Sequence, residues 1–228
     1  MRFLKITLVT SLFFFVFSFL FFKKEALACE TISLLGFEEI SPNVYTDESL
    51  TSQQRSLLNS AITSAYDRVE QVYGKAQSPS RIIATNNLSY KKFGLNPTGM
   101  QNSAFFRECV FLGPKGLNVD VIAHELVHAE VRYRTNFFVE QTELPAWFIE
   151  GAGIKVDYRA PFLMKNIEMS EEEIENVKSI FFFRDFPNTS VKTYQASRVA
   201  IEVLDPKQLY KGLERLNEGE SFEIVFNF

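Results

Sequence analysis

The stretch His124-Glu125-Leu126-Val127-His128 contains the only two histidines of the chain. Side chains four residues apart on an α-helix lie on one face, separated by about 5.4 Å along the axis. Both imidazoles can therefore bind one metal ion, and the carboxylate of Glu125 lies beside the first of them. Hydrolytic zinc chemistry needs these groups: neutral imidazole ligands, an open coordination position and a base for water. A helix that carries two histidines by chance is the alternative interpretation.

A catalytic zinc site usually has three protein ligands and an open position for water. Because the chain has no third histidine, the third ligand must be a carboxylate or a thiolate, and we predict Glu150. It lies in Leu144-Pro145-Ala146-Trp147-Phe148-Ile149-Glu150-Gly151, whose proline suits the start of a helix. Between His128 and Glu150 there are 21 residues, enough for a loop and a second helix. Gly151 and Gly153 would let the two helices approach closely. A solvated carboxylate is the alternative, which the apolar neighbours of Glu150 disfavour.

HELVH followed by LPAWFIEG resembles the gluzincin metallopeptidases, zincin-fold enzymes that combine HExxH with a glutamate ligand. The chain looks most similar to the small bacterial peptidase MA-like proteins, over roughly residues 80–228. Weaker similarity follows at Tyr194-Gln195-Ala196-Ser197, which begins a predicted helix to Leu204, and at residues 209–226. The two motifs are specific, whereas the C-terminal similarity is not.

The resemblance implies one Zn²⁺ per chain and a role for each motif residue. Glu125 would be the general base, which takes a proton from the zinc-activated water and passes it to the leaving amine. Some gluzincins stabilise the oxyanion with a tyrosine or a histidine. Both histidines are used as ligands, so the donor is expected to be a tyrosine. The resemblance implies Tyr194, which matches the tyrosine region of the family, and Tyr158 is the second choice. Packing of Tyr194 against the core is the alternative. The implied zinc ligands are His124, His128 and Glu150.

The sequence departs from the thermolysin-like pattern at one position near the predicted ligands. Those enzymes place an aspartate four residues after the ligand glutamate, where it orients a histidine, and Ile154 occupies that position here. Asp157 is seven residues after Glu150, which corresponds to about 10 Å along a continuous helix, so it is a poor substitute. The residue that orients His124 is therefore left unassigned.

The remaining sequence predicts an α+β, zincin-like fold with a small mixed sheet, an active-site helix, a following ligand helix and a mostly helical C-terminal half. Capping boxes begin two helices, at Thr51 and at Ser170.

The strand at 104–112 is either the edge strand of the cleft, which could bind an extended peptide, or an internal strand. For Ile180-Phe181-Phe182-Phe183 we favour a core position over a wall of the substrate cleft. The other predicted elements are strands at 43–46 and 81–85, a helical turn at 89–93, a loop at 94–102, a motif helix from Asn118 or Asp120 to Arg134, and a last helix from Pro206 to before Gly219.

The N-terminal region has the features of a targeting segment. Ile6 to Phe22 is an uncharged run of 17 residues, and Ala26-Leu27-Ala28 is an A-x-A site of the kind that signal peptidase cuts. A cleaved export signal, an uncleaved membrane anchor and a lipid attached to Cys29 are the three alternatives. Cys29 and Cys109 could instead pair in an oxidising compartment, or Cys109 could be a small buried residue.

Composition narrows the function classes. The chain has 228 residues, a net charge of -4 and no long basic tract, so we expect no nucleic-acid partner. We expect a signal peptide or anchor at 1–28 and one zincin-like peptidase domain at 29–228. The predicted function is an exported zinc metallopeptidase in the periplasm or cell envelope that hydrolyses a peptide or protein substrate, with a possible membrane tether through residues 6–22 or Cys29. A catalytically inactive zincin-fold binding protein and a zinc amidase acting on peptidoglycan are the alternatives.

Overall fold

The structure, a computed structural model, describes residues 24–93 and 96–228. The apolar run at 6–22 therefore lies outside the described residues. Within them the protein has a mixed α+β fold, which confirms the predicted class at that level. The helices are α1 Lys24–Glu30, α2 Ser52–Val72, α3 Val119–Arg134, α4 Phe137–Glu143, α5 Ala146–Lys155, α6 Glu171–Lys178, α7 Val191–Ala200, α8 Leu209–Asn217 and α9 Phe222–Phe226.

The strands form a five-stranded sheet in the order β1-β2-β3-β5-β4. The central strands β2, β3 and β5 are parallel, whereas β1 and β4 pair antiparallel at the two edges. Parallel strands need a crossover connection, and α2 provides the one between β2 and β3. The strands are β1 Glu38–Ser41, β2 Val44–Thr46, β3 Arg81–Ala84, β4 Gly99–Ser103 and β5 Glu108–Leu112.

The predicted strand at 104–112 and the predicted loop at 94–102 both need correction. β5 covers only the second half of the predicted strand and lies between β3 and β4, so of the two alternatives the internal strand is confirmed. The edge strand is β4, formed from residues that we predicted as a loop. A short turn links the two strands, with the Ala104 N–H donating to the Arg107 carbonyl at 2.9 Å. The polar sequence of β4 has low strand propensity, and its pairing with β5 overrides that preference.

Most of the predicted helices are confirmed by their capping contacts. The Thr51 hydroxyl accepts a hydrogen bond from the Gln54 N–H at 3.2 Å, and the Gln54 side chain accepts from the Thr51 N–H. Ser170 and Glu173 form the same reciprocal pair at the start of α6. The sequence analysis missed the strand β1 and the three short helices α1, α4 and α9, which are too short for a clear periodicity.

Helices α2 and α5 pack against α3, which also contacts strands β4 and β5. The aromatic residues of α9 and the C-terminal Phe228 then cover the outer side of α5. The Phe148 ring lies 4.6 Å from the Phe226 ring and 5.0 Å from the Phe222 ring, measured between centroids. This aromatic packing joins α9 to α5, so the C-terminal end of the chain supports the helix that carries Glu150.

A disulfide joins Cys29 of α1 to Cys109 of β5, with a Cα–Cα distance of 6.3 Å. The bond lies in a second apolar cluster that contains Phe37, Ile83 and Phe111. Between the alternatives for the two cysteines, the structure therefore has them paired. A sulfur in a disulfide cannot also carry a lipid, so this pairing and a lipid anchor at Cys29 exclude each other. Of the helices in the described residues, none combines the length and the apolar character needed to cross a membrane.

Replacement of Phe148 by alanine tests the support of α5. We expect Phe148→Ala to lower the free energy of unfolding by about 3–5 kcal/mol, because its side chain is 0% exposed and the cavity would lie inside the aromatic packing. The matched control is Phe138→Ala, since Phe138 is 75% exposed and should change stability by less than about 0.5 kcal/mol. Urea unfolding followed by circular dichroism measures both values. Equal effects of the two variants would contradict the packing described here.

Candidate metal centre and catalytic cleft

The motif residues lie in the middle of α3 and face its neighbour α5. Asn118 caps the helix, and its side-chain oxygen accepts a hydrogen bond from the Val121 N–H at 3.1 Å, as one of the two predicted starts requires. His124, Glu125 and His128 are all buried. The two imidazole rings are 4.5 Å apart between centroids, which confirms that the i, i+4 spacing puts both on one face.

Helix α5 brings Glu150 to the same point. Pro145 immediately precedes the helix, whose residues from Ala146 to Ile154 are all buried, so the carboxylate is not a solvated surface group. Its Oε2 atom lies 3.3 Å from His124 Nε2 and 3.7 Å from His128 Nε2. Each of the three side chains offers one ligand atom, and these atoms lie within 4.8 Å of one another.

The bonding state of these atoms agrees with a metal site. His128 Nε2 and Glu150 Oε2 are buried and have no hydrogen-bond partner among the described residues. Burial of a polar atom without a partner costs about 1–3 kcal/mol, and coordination of a cation satisfies such atoms. Two imidazole nitrogens and one carboxylate oxygen also match the ligands of known three-residue metal sites. His124, His128 and Glu150 could therefore hold a metal ion.

The glycine at position 153 makes this approach of the two helices possible. A Cβ atom added there would lie 2.9 Å from both His124 Nε2 and His128 Nε2. Any larger residue would occupy the space that the three ligand atoms face. The prediction for Gly151 was wrong, because that residue faces α7, where an added Cβ would lie 2.5 Å from the Ser197 carbonyl oxygen. Residues two apart on a helix point to nearly opposite sides. Gly153 therefore allows the close approach of α3, and Gly151 allows that of α7.

The two histidines are oriented differently. His128 donates a hydrogen bond to the Ile149 backbone carbonyl, which leaves its Nε2 for a ligand. His124 Nδ1 is buried and has no partner among the described residues. Asp157 does not supply one: it lies beyond the end of α5, and its carboxylate is bound by Arg159. The expectation that Asp157 cannot replace the missing aspartate is confirmed.

The carboxylates of Glu125 and Glu150 favour a positive charge between them, and the pKa values of the three clustered residues reflect this. Burial lowers the pKa of His128 to about 4, so this imidazole is neutral and able to bind a metal. Burial also acts to lower the pKa of His124, but the interaction of its N–H with the Glu150 carboxylate and the charges of Glu125 and Glu150 outweigh it and raise the pKa. Burial acts to raise the pKa of Glu150, but the two histidines outweigh it and hold the pKa below its usual range. Glu150 is therefore ionised, as a carboxylate that binds a metal must be.

The pKa of Glu125 is shifted in the opposite direction from that of Glu150. Burial raises its pKa to about 7, and the nearby Glu150 charge adds to this effect. The charge of His124, a backbone hydrogen bond from Gln101 and the charge of Arg159 act in the opposite direction. A carboxyl group with a pKa near 7 can accept and return a proton close to neutral pH.

A cleft runs along the edge strand β4 and across the metal-ligand cluster. Its larger lobe has a volume of about 700 Å³ and its smaller lobe about 490 Å³. His124, Glu125 and Tyr194 line both lobes, so the cluster lies where the lobes meet. The larger lobe extends along the whole of β4, and the smaller lobe begins at residues 96–99, which lead into that strand.

The two candidate oxyanion donors differ in position. Tyr194 lines both lobes, and its ring contacts those of Phe162 and Phe186 at 6.2 and 5.1 Å between centroids. Burial raises its pKa well above the usual value, and the charges of Glu150 and Glu125 add to the rise. Tyr158 is half-exposed beside Arg68 at 4.3 Å and does not line either lobe. The structure thus brings Tyr194, but not Tyr158, to the cluster.

The predicted core position of Ile180-Phe181-Phe182-Phe183 is confirmed only for Ile180, which packs against the core, and was wrong for the three phenylalanines. Phe182 and Phe183 are 45% and 47% exposed, and all three residues line the larger lobe. The Phe183 ring lies 6.5 Å from the His128 ring. This segment enters the 3₁₀ turn Phe183–Asp185 rather than a regular element, and an apolar run gives no sign of which side it faces. The aromatic segment is therefore a wall of the cleft.

Other residues of the cleft were not identified from the sequence. These are the β4 residues Gly99 to Ser103, together with Arg132, Glu140 and Arg159. Single charged residues outside a motif carry no signal in one sequence that separates a cleft position from the surface. Comparisons with protein-family models, with curated proteins and with solved structures found no match to this chain.

Replacement of Gly153 by alanine tests the geometry of the metal centre without removing a ligand. We expect Gly153→Ala to weaken metal binding by about tenfold or more, because the added Cβ enters the space between the imidazoles. Gly151→Ala is the matched control: it should lower stability through Ser197 and keep the metal affinity. Titration of the metal-free protein with Zn²⁺ against a competing chelator measures the affinity. Unchanged affinity in Gly153→Ala would contradict the proposed position of the ion.

Proposed function

We propose that the protein is an exported zinc-dependent metallopeptidase of the gluzincin type with a zincin-like fold. The observation that carries this proposal is the meeting of three ligand atoms within 4.8 Å, next to the buried carboxylate of Glu125. They meet in a cleft beside the edge strand β4. The specific chemistry follows from the residues that line this point.

Zinc is the metal that best fits the ligands. Two histidines and one glutamate form one of the ligand sets of catalytic zinc sites, in which a fourth position is open to water or substrate. When bound, zinc supplies a Lewis acid that polarises the reacting carbonyl and makes water a better nucleophile. The buried, unpartnered atoms His128 Nε2 and Glu150 Oε2 support this assignment.

Glu125 is the proposed general base. It follows His124 directly in the chain, and its carboxylate lines both lobes of the cleft. Its pKa of about 7 suits a group that removes a proton from water in one step and donates it to the departing amine in the next. The Gln101 backbone hydrogen bond fixes the carboxylate to β4, the strand beside which we place the substrate.

Tyr194 is the proposed donor to the oxyanion. Its raised pKa keeps the phenol protonated at neutral pH, so the hydroxyl can donate a hydrogen bond to the negative oxygen that develops on the attacked carbonyl. Its ring contacts with Phe162 and Phe186 hold the side chain in the cleft. A packing role and this catalytic role are compatible, because the same ring contacts position the hydroxyl.

The substrate is proposed to be a peptide or protein chain in an extended conformation. The strand β4 pairs with β5 on one side and forms an edge of the sheet on the other. An extended peptide binds such an edge by main-chain hydrogen bonds, and the cleft follows the whole strand. The disulfide between Cys29 and Cys109 supports an oxidising compartment such as the periplasm or cell envelope.

Glu125→Gln separates catalysis from metal binding. We expect this variant to bind one Zn²⁺ per chain and to lose about 10²- to 10⁴-fold in kcat, because the amide cannot accept a proton. His128→Ala should instead lose the metal, since it removes a ligand. Metal analysis of the purified proteins and hydrolysis of denatured envelope proteins measure the two effects. The base assignment fails if Glu125→Gln hydrolyses as fast as wild type, and the enzyme proposal fails if wild type binds no zinc.

Tyr194→Phe tests the oxyanion donor. Loss of one such donor lowers kcat by about 10²- to 10³-fold, and we expect that loss with KM and zinc content nearly unchanged. Tyr158→Phe removes the same atom outside the cleft and should leave kcat at the wild-type value. Steady-state kinetics on one peptide substrate measures both variants. If the two behave alike, Tyr194 only packs against its aromatic neighbours.

A further inference from the structure

The smaller lobe of the cleft has a different charge from the larger one. Among the described residues that line it, Glu125 is the only carboxylate, whereas Arg159 and Lys115 are both cationic. Glu125 has its own proposed part in the reaction. The lining of this lobe therefore has more cationic than acidic side chains, and Asp157, which lies outside the lining, pairs with Arg159.

Arg159 is fixed in this lobe by a buried partner. Its Nε atom lies 2.9 Å from both carboxylate oxygens of Asp157, and one Nη atom contacts the same carboxylate. The Arg159 N–H also donates to Asp157 at 3.0 Å, and the guanidinium lies 5.2 Å from the centre of the Phe162 ring. The Asp157 side chain is 0% exposed, whereas that of Arg159 is 39% exposed. The carboxylate of this ion pair is therefore buried, whereas the arginine side chain is partly accessible to solvent.

A fixed guanidinium with free capacity is suited to binding an anion. A guanidinium has five N–H donors in a planar fork, and Asp157 engages Nε and one Nη. Donors therefore remain for a second carboxylate, which arginine binds with defined geometry. Since Asp157 already holds the side chain, little side-chain entropy is lost when the ligand binds.

The direction of β4 indicates which side of the scissile bond this lobe receives. The smaller lobe begins at residues 96–99, at the start of β4, and the larger lobe extends to Ser103 at its end. Antiparallel strand pairs are two to three times as common as parallel ones. A peptide antiparallel to β4 enters near Ser103 and leaves near Gly99. Its residues after the scissile bond then lie in the smaller lobe, beside Arg159.

We propose that Arg159, positioned by Asp157, binds a substrate carboxylate on the C-terminal side of the scissile bond and so determines cleavage specificity. This inference rests on the proposed peptidase function. The carboxylate is either the free C-terminus of a short peptide or the side chain of an aspartate or glutamate. Both have the same chemistry, and the substrates used in the test distinguish them.

The test uses zinc-loaded protein and one peptide sequence made in three forms. The first has a free C-terminal carboxylate two residues after the cleaved bond, the second has an amide there, and the third has the amide with an aspartate in place of a neutral residue. We expect kcat/KM to be about tenfold or more higher for at least one carboxylate form than for the neutral amide, as for hydrogen bonds to charged groups. The form that is preferred identifies the source of the carboxylate.

Two variants assign this preference to Arg159. Arg159→Gln alone would leave the Asp157 carboxylate buried without its charged partner, so the double variant Asp157→Asn/Arg159→Gln is compared with it. We expect the double variant to lose the preference, with a ratio of kcat/KM between the carboxylate and amide forms near one. Because the Arg159 charge also acts on the pKa of Glu125, this ratio within each variant is compared, and not the absolute rates. Arg184→Gln removes a cation from the larger lobe and should keep the preference. The inference is overturned if Arg184→Gln lowers the carboxylate preference as much as the double variant does. It is also overturned if loss of Arg159 slows the hydrolysis of all three peptides by the same factor.

A binding measurement separates this inference from the proposed function. The Glu125→Gln protein is titrated with the same three peptides carrying a fluorescent label, and anisotropy gives each Kd. We expect tighter binding of a carboxylate form, and no such difference when Asp157→Asn/Arg159→Gln is added. If wild type hydrolyses no peptide, the proposed function fails, while the Kd values still decide the role of Arg159. Hydrolysis and binding with no carboxylate preference overturn the inference and leave the proposed function standing.

Discussion

The candidate site depends on the close packing of α5 against α3. Glu150 comes within 3.3 Å of His124 Nε2 only because position 153 has no side chain in the space between the helices. The imidazoles, the carboxylate and that empty space occupy adjacent positions, so the distance between the helix axes sets the size of the site. Helices approach most closely where small residues lie at their contact, and a glycine allows the smallest separation. The centre is therefore built by backbone proximity as much as by its ligands.

Burial of so many ionisable groups in one place needs compensation from the rest of the fold. Charged groups are costly in an apolar interior unless they are paired. Here Glu150 is paired with the two histidines, and the surrounding helices provide the stability that the polar cluster does not. The aromatic residues of α9 contact Trp147 and Phe148 on the outer side of α5. The C-terminal end of the chain, which contributes nothing to the cleft lining, thus holds the third ligand in place.

The helical part of the site was predictable, because helix periodicity is a local rule. The spacing of His124 and His128 and the apolar surroundings of Glu150 were sufficient to place the three ligands. The edge strand was not predictable, since Gly99 to Ser103 is polar and becomes a strand only by pairing with β5. The exposure of Phe181-Phe182-Phe183 was also missed, because an apolar run does not reveal whether it faces a core or a cleft. Properties set by long-range contacts were those that one sequence could not supply.

Helix α1 contains the predicted A-x-A site Ala26-Leu27-Ala28, and its packing affects access to that site. Ala26 and Ala28 are 4% and 3% exposed, and the bond between Ala28 and Cys29 lies inside α1. Proteases bind their substrates in extended form, so this bond is closed to them once the helix has docked. If the predicted A-x-A site is a cleavage site, cleavage there and folding of α1 would therefore compete. A chain cut first would begin at Cys29 and keep the disulfide partner of Cys109, whereas a chain that folded first would keep the apolar run of residues 6–22.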